Sequence, residues 1–455
     1  YFLFSYFVIL ALLFIRVKSR SKGIKLMKNI YLSLFFILYA LWGVAWSVPY
    51  IDIGYTSLWY LLLLSSVFFL NNRILSGKIT RIYLLVLLLI SIYALIGLPS
   101  VLNAANNSLD VEYTLMYELR FILNALVVLF IMDKVRNVYE FKLSFMYFSI
   151  ALIIIYSIIH WKYFYVFNQD YLGVVIDDTG PLRTGKNSLA TSTAIMFPLL
   201  LGSLFHIKGL FYKITVSLGI VAILLIAINI QSRSMILIMG VEMLVFYLYL
   251  SKLRSIKMHV IYSIAAVLVI TFTSNISVKD FAYKQNKYSD NTRTGLSEYA
   301  QYDTSGVMGK YLNSHRGWLL TEAISGYANS SLLGHGIGTY RIRPTNRGSR
   351  TETHNDYFLL LYEMGTIGIL LFAYILYDRI RDTLKVMKIF KDPMIIGSLA
   401  SIIGLIVAMF FINIIHTLIF WTIFSLNLTL VRYFRKYYNM PVSIDSVTPY
   451  SSRNK

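Results

Sequence analysis

The sequence predicts an all-α polytopic membrane protein with about 12–13 transmembrane helices. Of its 455 residues, 57% are hydrophobic and only 14% are charged, and the mean hydropathy is +0.63. This composition is typical of a chain embedded in a bilayer rather than of a soluble domain. Two further observations support the fold class: apolar runs follow one another along most of the chain, and basic residues are unevenly distributed between them.

The apolar runs are the predicted transmembrane helices. In chain order they lie at 1–15, 30–48, 57–70, 82–98, 117–132, 143–160, 188–205, 213–230, 235–250, 260–274, 362–377, 394–412 and 418–431. Several runs are shorter than the roughly 20 residues that a fully apolar span needs. The pattern therefore predicts the presence of these helices, but it does not fix the residue at which each one ends.

The formal net charge of +20 follows from the connections between the runs. Every second connection carries a cluster of Lys and Arg, whereas the connections on the opposite side hold as many acids as bases. Because basic connections remain in the cytoplasm, the charge indicates orientation and not a nucleic-acid partner. The C-terminus is then cytoplasmic, residues 274–355 are external, and the N-terminus is external if the first run spans. No cleavable signal peptide is expected, since the first run leads directly into further spans.

The same pattern predicts the organisation of the chain. Residues 1–273 form an N-terminal transmembrane bundle with a short outer loop at 161–187. Residues 274–355 form a large external loop, 356–436 the C-terminal transmembrane helices, and 437–455 a cytoplasmic tail.

Composition and motifs also exclude several kinds of chemistry. The chain has no cysteine, which excludes disulfides, zinc–thiolate sites, iron–sulfur clusters and thiol catalysis. It contains no His-Glu-x-x-His, no phosphate-binding Gly-Lys-Ser/Thr loop and no Gly-x-Ser-x-Gly motif. We therefore expect neither a metal nor another cofactor.

The second half of the large loop is the most informative polar stretch. Asn313 or Ser314 is expected to cap a helix over 316–327. The glycines at 334, 336 and 338 then interrupt the chain, and Asn355 or Asp356 is expected to cap the next helix. His354 consequently lies where an external loop enters a membrane helix, beside the partial positive charge of the free helix N–H groups.

His354 is the first candidate for chemistry, because a histidine titrates near neutral pH and can act as a general base or orient an attacking hydroxyl. A capping or interfacial role is the alternative reading. For His335, within the glycine-rich turn, shaping of the backbone is the more ordinary role.

Four cations from separate segments are predicted at the outer lipid–water boundary: Arg183, Lys186, Arg233 and Arg316. Together they are suited to an anionic headgroup, because the planar arginine side chain binds phosphate oxygens in pairs. Each one alone is explained as well by snorkelling to the interface. Glu242 lies within a predicted span, where an ionisable side chain is either functional or bonded to a neighbouring helix.

These residues resemble a known superfamily, the O-antigen ligase-like membrane proteins. The similarity covers roughly 180–380. It rests on the Gly180–Ala190 stretch, on Ser232-Arg233-Ser234 before an apolar run, on Arg316-x-Trp318, on Leu332-Leu333-Gly334-x-Gly336-x-Gly338-Thr339-Tyr340, and on His354-Asn355-Asp356-Tyr357 with Glu363-Met364-Gly365-Thr366-Ile367-Gly368. The sequence departs from the family pattern at Ser234, where glycine is usual, and at Lys186, where asparagine is usual.

The resemblance implies a metal-independent glycosyltransferase of GT-C-like architecture in the bacterial inner membrane, inverting in mechanism. Such proteins transfer a glycan from undecaprenyl diphosphate to an acceptor hydroxyl on the periplasmic face, in lipopolysaccharide or capsule biosynthesis. His354, Arg316 and Arg233 match the residues on which the family depends for catalysis. Contacts with the diphosphate or the glycan are expected from Arg183, Lys186, Trp318, His335, Asn355 and Tyr357.

The resemblance leaves the reaction open between two acceptors. In an O-antigen or capsule polymerase, which we favour, the acceptor is another lipid-linked repeat unit, and a chain-length regulator and a flippase are expected partners. In an O-antigen ligase it is the lipid A core. The rival class is a flippase for the same carrier, which predicts charged residues through the middle of the membrane. Little charge beyond Glu242 lies there, and a purely structural scaffold leaves the convergent cations unexplained.

Overall fold

A computed structural model describes residues 30–37, 39, 121, 124–160, 186–230, 233–250, 315–330, 332–342 and 353–437. Residues 30–37 are helical. The other helices are α1 (Val127–Lys134), α2 (Val138–His160), α3 (Lys186–His206), α4 (Leu210–Ile230), α5 (Arg233–Leu250), α6 (His315–Asn329), α7 (Thr339–Ile342), α8 (Asp356–Phe390), α9 (Pro393–Ala408) and α10 (Leu418–Tyr437). The predicted runs at 1–15, 57–70, 82–98 and 260–274 lie outside the described residues.

The described part of the chain is all helical, as predicted, and contains no strand. Four helices are long and apolar enough to cross a membrane: α2, α3, α4 and α8. Helices α5 and α9 are apolar but shorter. These helices support the prediction of a membrane protein with several spans, and the number of about 12–13 spans stays a prediction. The exposed side chains of α4 include Phe211, Ile214, Leu218 and Val221, which form the kind of apolar stripe that faces lipid.

Helices α3 and α9 form the tightest pair and run antiparallel. A Cβ atom added to Gly202 would overlap the carbonyl oxygen of Pro393, and one added to Gly397 would overlap the carbonyl oxygen of Pro198. The hydroxyl of Ser401 donates a 2.7 Å hydrogen bond to the carbonyl oxygen of Ile195. Small residues let helices approach this closely within a membrane.

Helix α5 packs against the same helix α9 around a buried carboxyl group. Glu242 is fully buried, and a Cβ atom added to Gly404 would overlap its Oε1 atom. Within the described residues, neither carboxyl oxygen of Glu242 has a hydrogen-bond partner. Gly404 therefore makes the space that the carboxyl group occupies.

The pairings of the helices define two opposite ends of the bundle. At one end, which we call the Asp392 end, the Nδ1 atom of His206 lies 2.6 Å from Oδ2 of Asp392. Buried and half-buried ion pairs lie in the C-terminal parts of α1, α8 and α10: Lys134–Asp133, Arg379–Asp382 and Arg435–Asp382. Helices α3 and α8 run from the opposite end, which we call the His354 end, toward the Asp392 end, whereas α9 runs back. The base-rich connections of the described residues thus share one end, as the charge pattern predicted.

Candidate functional site

His354 has an unusual backbone at the start of α8. Its φ angle is +52°, in the left-handed region that non-glycine residues seldom adopt, and its side chain is half-buried. Such conformations persist where the surrounding structure enforces them, and they are concentrated at functional sites. The predicted position of His354, at a junction between loop and helix, is confirmed.

Asn355 is the N-cap of α8. Its Oδ1 atom accepts hydrogen bonds from the backbone N–H groups of Tyr357 (3.0 Å) and Phe358 (3.3 Å), as an N-cap does. Its Nδ2 atom donates to the carbonyl oxygen of Phe410 at 3.3 Å. Both ends of the Asn355 amide are therefore bonded within the fold, and the residue is 8% exposed. The hydroxyl of Tyr357 likewise donates to the carbonyl oxygen of Ile406 at 3.0 Å.

The connection between α9 and α10, residues 409–417, holds this junction from the other side. The Oδ2 atom of Asp356 accepts hydrogen bonds from the backbone N–H groups of Ile414 (2.8 Å) and Ile415 (3.0 Å). The N–H group of Asp356 donates to the carbonyl oxygen of Met409 at 2.9 Å. Asp356 is fully buried, so the backbone beside His354 is fixed by elements more than fifty residues away in the chain.

Helix α6 runs parallel to α8, and this arrangement places Arg316. Leu319 packs in one apolar cluster with Leu359, whereas the hydroxyl of Tyr327 bonds to Oγ1 of Thr366 at 2.9 Å. At these contacts, residues of α6 lie beside residues of α8 that are about 40 positions later in the chain. Arg316, the second residue of α6, therefore starts level with the first residues of α8. Its side chain and that of Trp318 lie outside the described residues.

The glycine-rich turn, residues 330–338, packs against a break in α8 rather than standing free. Gly365 interrupts that helix with φ +63°, and Gly334 has φ +73°. Cβ atoms added to Gly334 and Gly365 would each lie 2.5–2.6 Å from backbone atoms of the other segment. Only glycine permits this approach at both positions. The sequence predicts that the glycines interrupt the chain, and the structure shows that they also let the turn pack against α8.

His335 belongs to this docking. Its ring lies 4.6 Å from the ring of Tyr362, and its Nε2 atom is 2.8 Å from the carbonyl oxygen of Gly326. Its N–H group donates to the carbonyl oxygen of Tyr362 at 3.0 Å. With these contacts His335 shapes the turn, which is the more ordinary of the two roles that the sequence predicts for it.

Glu363 and His416 form a buried pair that the sequence did not single out. Oε1 of Glu363 accepts a 2.9 Å hydrogen bond from the N–H group of Gly338, and its Oε2 atom lies 3.3 Å from Nε2 of His416. The carbonyl oxygen of His416 accepts a 2.9 Å hydrogen bond from Asn124. One carboxyl group thus connects α8, the glycine-rich turn and the α9–α10 connection. An ionisable residue at membrane depth could have pointed to Glu363. Its partner His416 is 53 positions later in the chain, so the sequence does not show the pair.

Two of the remaining predicted cations, Arg233 and Lys186, start helices at the same end. Arg233 is the first residue of α5, and α5 follows α4, which begins beside His206 at the Asp392 end. Lys186 is the first residue of α3, and the antiparallel pairing of α3 with α9 places it near the α9–α10 connection. The side chains of Arg233 and Lys186, and the whole of Arg183, lie outside the described residues. The backbone thus brings Lys186, Arg233, Arg316 and His354 to one end.

Comparison with known proteins gives one family. Residues 218–373, about a third of the chain, match the family model described as O-antigen ligase. The match confirms the resemblance to the O-antigen ligase-like superfamily. The matched segment contains Arg233, Arg316, the glycine-rich turn and His354, whereas Arg183, Lys186 and His416 lie outside it. No curated protein matches the chain.

Proposed function

We propose that this protein is a polymerase of undecaprenyl-diphosphate-linked oligosaccharide repeat units, of O-antigen or capsule, in the bacterial inner membrane. The observation that carries the proposal is the parallel packing of α6 on α8, which starts the Arg316 helix and the His354 helix at one level. The match to the O-antigen ligase family supports the same chemistry.

In this mechanism the diphosphate binds among cations. Arg233 and Arg316, with Arg183 and Lys186, hold its oxygens at the His354 end. Because α5 and α6 also begin at that end, their N-termini add partial positive charge there. Cations in place before the reaction stabilise the leaving diphosphate more as its charge develops than they do in the ground state.

His354 acts on the acceptor. The hydroxyl oxygen of the acceptor glycan attacks the anomeric carbon of the donor from the face opposite the diphosphate, and its proton passes to the imidazole. The bond between the anomeric carbon and the phosphate oxygen breaks with its electron pair on undecaprenyl diphosphate. The anomeric configuration is inverted. No metal is needed, because the arginines supply the positive charge.

The experiment uses the purified chain in liposomes with undecaprenyl-diphosphate-linked repeat units and EDTA. A polymerase extends these units into longer lipid-linked glycans, and Arg316→Lys slows extension because a single ammonium group does not replace the bidentate contact. Absence of extension in this complete mixture overturns the proposal.

An O-antigen ligase is the second candidate, favoured by the description of the matched family. Lipid A core added to the same liposomes separates the two. A ligase transfers the glycan to the core without extending the lipid-linked units. Movement of the carrier across the bilayer without either product indicates a flippase instead.

A further inference from the structure

The tip of the glycine-rich turn, Leu332 and Leu333, is apolar and exposed. Leu332 is 62% exposed and Leu333 is 42% exposed, although both belong to the segment that the charge pattern places outside the membrane. The helix beside them, α8, explains why two leucines are exposed at the end of a short turn.

The backbone of the tip is bonded to α8 at the start of a stripe of exposed apolar side chains on that helix. The carbonyl oxygen of Leu332 accepts a hydrogen bond from the N–H group of Ile367 at 3.3 Å. From Ile367 the exposed side chains continue at Leu370, Tyr374 and Tyr377, spaced three or four residues apart along one face of the helix. Since α8 is a candidate membrane span, this stripe is the face that meets lipid.

The depth of the contact follows from the helix rise. The first segment of α8, from Asp356 to the break at Gly365, has nine residues and is about 13 Å long at 1.5 Å per residue, and Ile367 follows that break. The turn therefore descends alongside α8, away from the end that carries His354. Its backbone is suited to that position, because N–H groups at 334, 335 and 336 are bonded to carbonyl oxygens at 330, 362 and 363. Irregular backbone at membrane depth requires such internal partners.

We propose that Leu332 and Leu333 insert into the hydrocarbon of the leaflet on the His354 side, so that the turn anchors α6 to the bilayer. The tip continues the lipid-facing stripe of α8 beyond Ile367. The acyl chains of the bilayer are therefore what contacts the two leucines. Anchoring in this way would hold the Arg316 end of α6 at a fixed height above the lipid.

The absence of native cysteine makes the test direct. Leu333→Cys, spin-labelled in nanodiscs of phospholipid without any glycan donor, is compared with two matched sites. Leu370→Cys, in the exposed stripe of α8, is the lipid reference. Lys208→Cys, in the exposed turn between α3 and α4, is the aqueous reference. The measurement is the collision rate of each label with oxygen and with a water-soluble nickel complex.

A label at 333 that collides with oxygen as often as the label at 370, and rarely with nickel, supports insertion. Collision with nickel as frequent as at 208 overturns it. Low collision rates with both reagents, together with dipolar broadening between the labels of two chains, also overturn the proposal. In that case a second copy of the chain covers the tip. Leu332→Cys repeats the measurement if the first variant does not purify as a single species.

Discussion

At the scale of single residues, His354 combines two demands that are separable by mutation. Its side chain is the proposed base, and its backbone adopts φ +52°. Asparagine tolerates left-handed backbone better than most residues do. His354→Asn should therefore preserve the junction and remove the base, and the rate of glycan extension should fall by about 10²–10⁴-fold.

The measurement is extension rate with purified protein, alongside the thermal midpoint. Ser325→Ala, at an exposed position of α6, is the control and should match the wild type in both. An active His354→Asn protein would contradict the proposed role, since its fold is expected to be intact.

Substitution of Glu363 is expected to lower stability, because its two carboxyl oxygens contact two different partners. Glu363→Ala removes the acceptor for Gly338 N–H and the group beside His416. We expect a loss of about 1–3 kcal/mol in the free energy of unfolding, the cost of a buried donor left unpaired. Glu363→Gln retains an acceptor oxygen and should lose less. Chemical unfolding in detergent measures both, and an alanine variant as stable as the wild type would refute the structural role.

At the scale of elements, the docking of the glycine-rich turn on the break in α8 depends on two glycines. Gly334→Ala and Gly365→Ala each place a methyl group 2.5 Å from opposing backbone atoms, in positive-φ conformations. Either change should undock the turn, lower the thermal midpoint and increase proteolysis of α6.

Gly240→Ala is the matched control, because a Cβ atom there meets nothing within 4 Å. Alanine favours a helix over glycine by roughly 0.5–1 kcal/mol, so this variant should be as stable as the wild type or slightly more stable. Equal effects of all three substitutions on the thermal midpoint would mean that the close approach of the turn and the helix does not contribute to stability.

The pairing of α5 with α9 is tested by a double-mutant cycle. Gly404→Ala drives a methyl group into the carboxyl group of Glu242 and should destabilise the protein. Glu242→Ala removes the obstacle, so the double variant should be more stable than the sum of the single effects predicts, with coupling of about 0.5–3 kcal/mol. Additive changes in unfolding free energy would indicate that the two residues do not share the space.

At the scale of the whole molecule, the charge pattern predicts that the Asp392 end is cytoplasmic. Thr321→Cys, at an exposed position near the start of α6, and Lys208→Cys, each the only cysteine in the chain, test this in cells whose outer membrane has been permeabilised. A maleimide that does not cross the inner membrane should label position 321 before lysis and position 208 only after lysis. The reverse pattern would invert the orientation and place the proposed site in the cytoplasm.

The local structure of the candidate site followed largely from sequence. The helix expected over 316–327 is found at His315–Asn329, and the expected cap of α8 is Asn355. These predictions succeeded because caps and glycine breaks act over a few residues. The packing of the glycine-rich turn could not be predicted, since its partner is the break at Gly365 and no residue near either segment indicates the pairing.

Composition, apolar periodicity and the placement of basic residues determined that this is a helical membrane protein with one base-rich end, because each depends on how individual segments partition between water and lipid. The motifs also predicted the similarity to the O-antigen ligase-like superfamily. Only the tertiary structure decided that α6 lies parallel to α8, that Asp356 is held by the α9–α10 connection, and that Glu363 faces His416. Those contacts depend on which helix faces pack together, and side chains far apart in the chain meet only when the bundle has assembled.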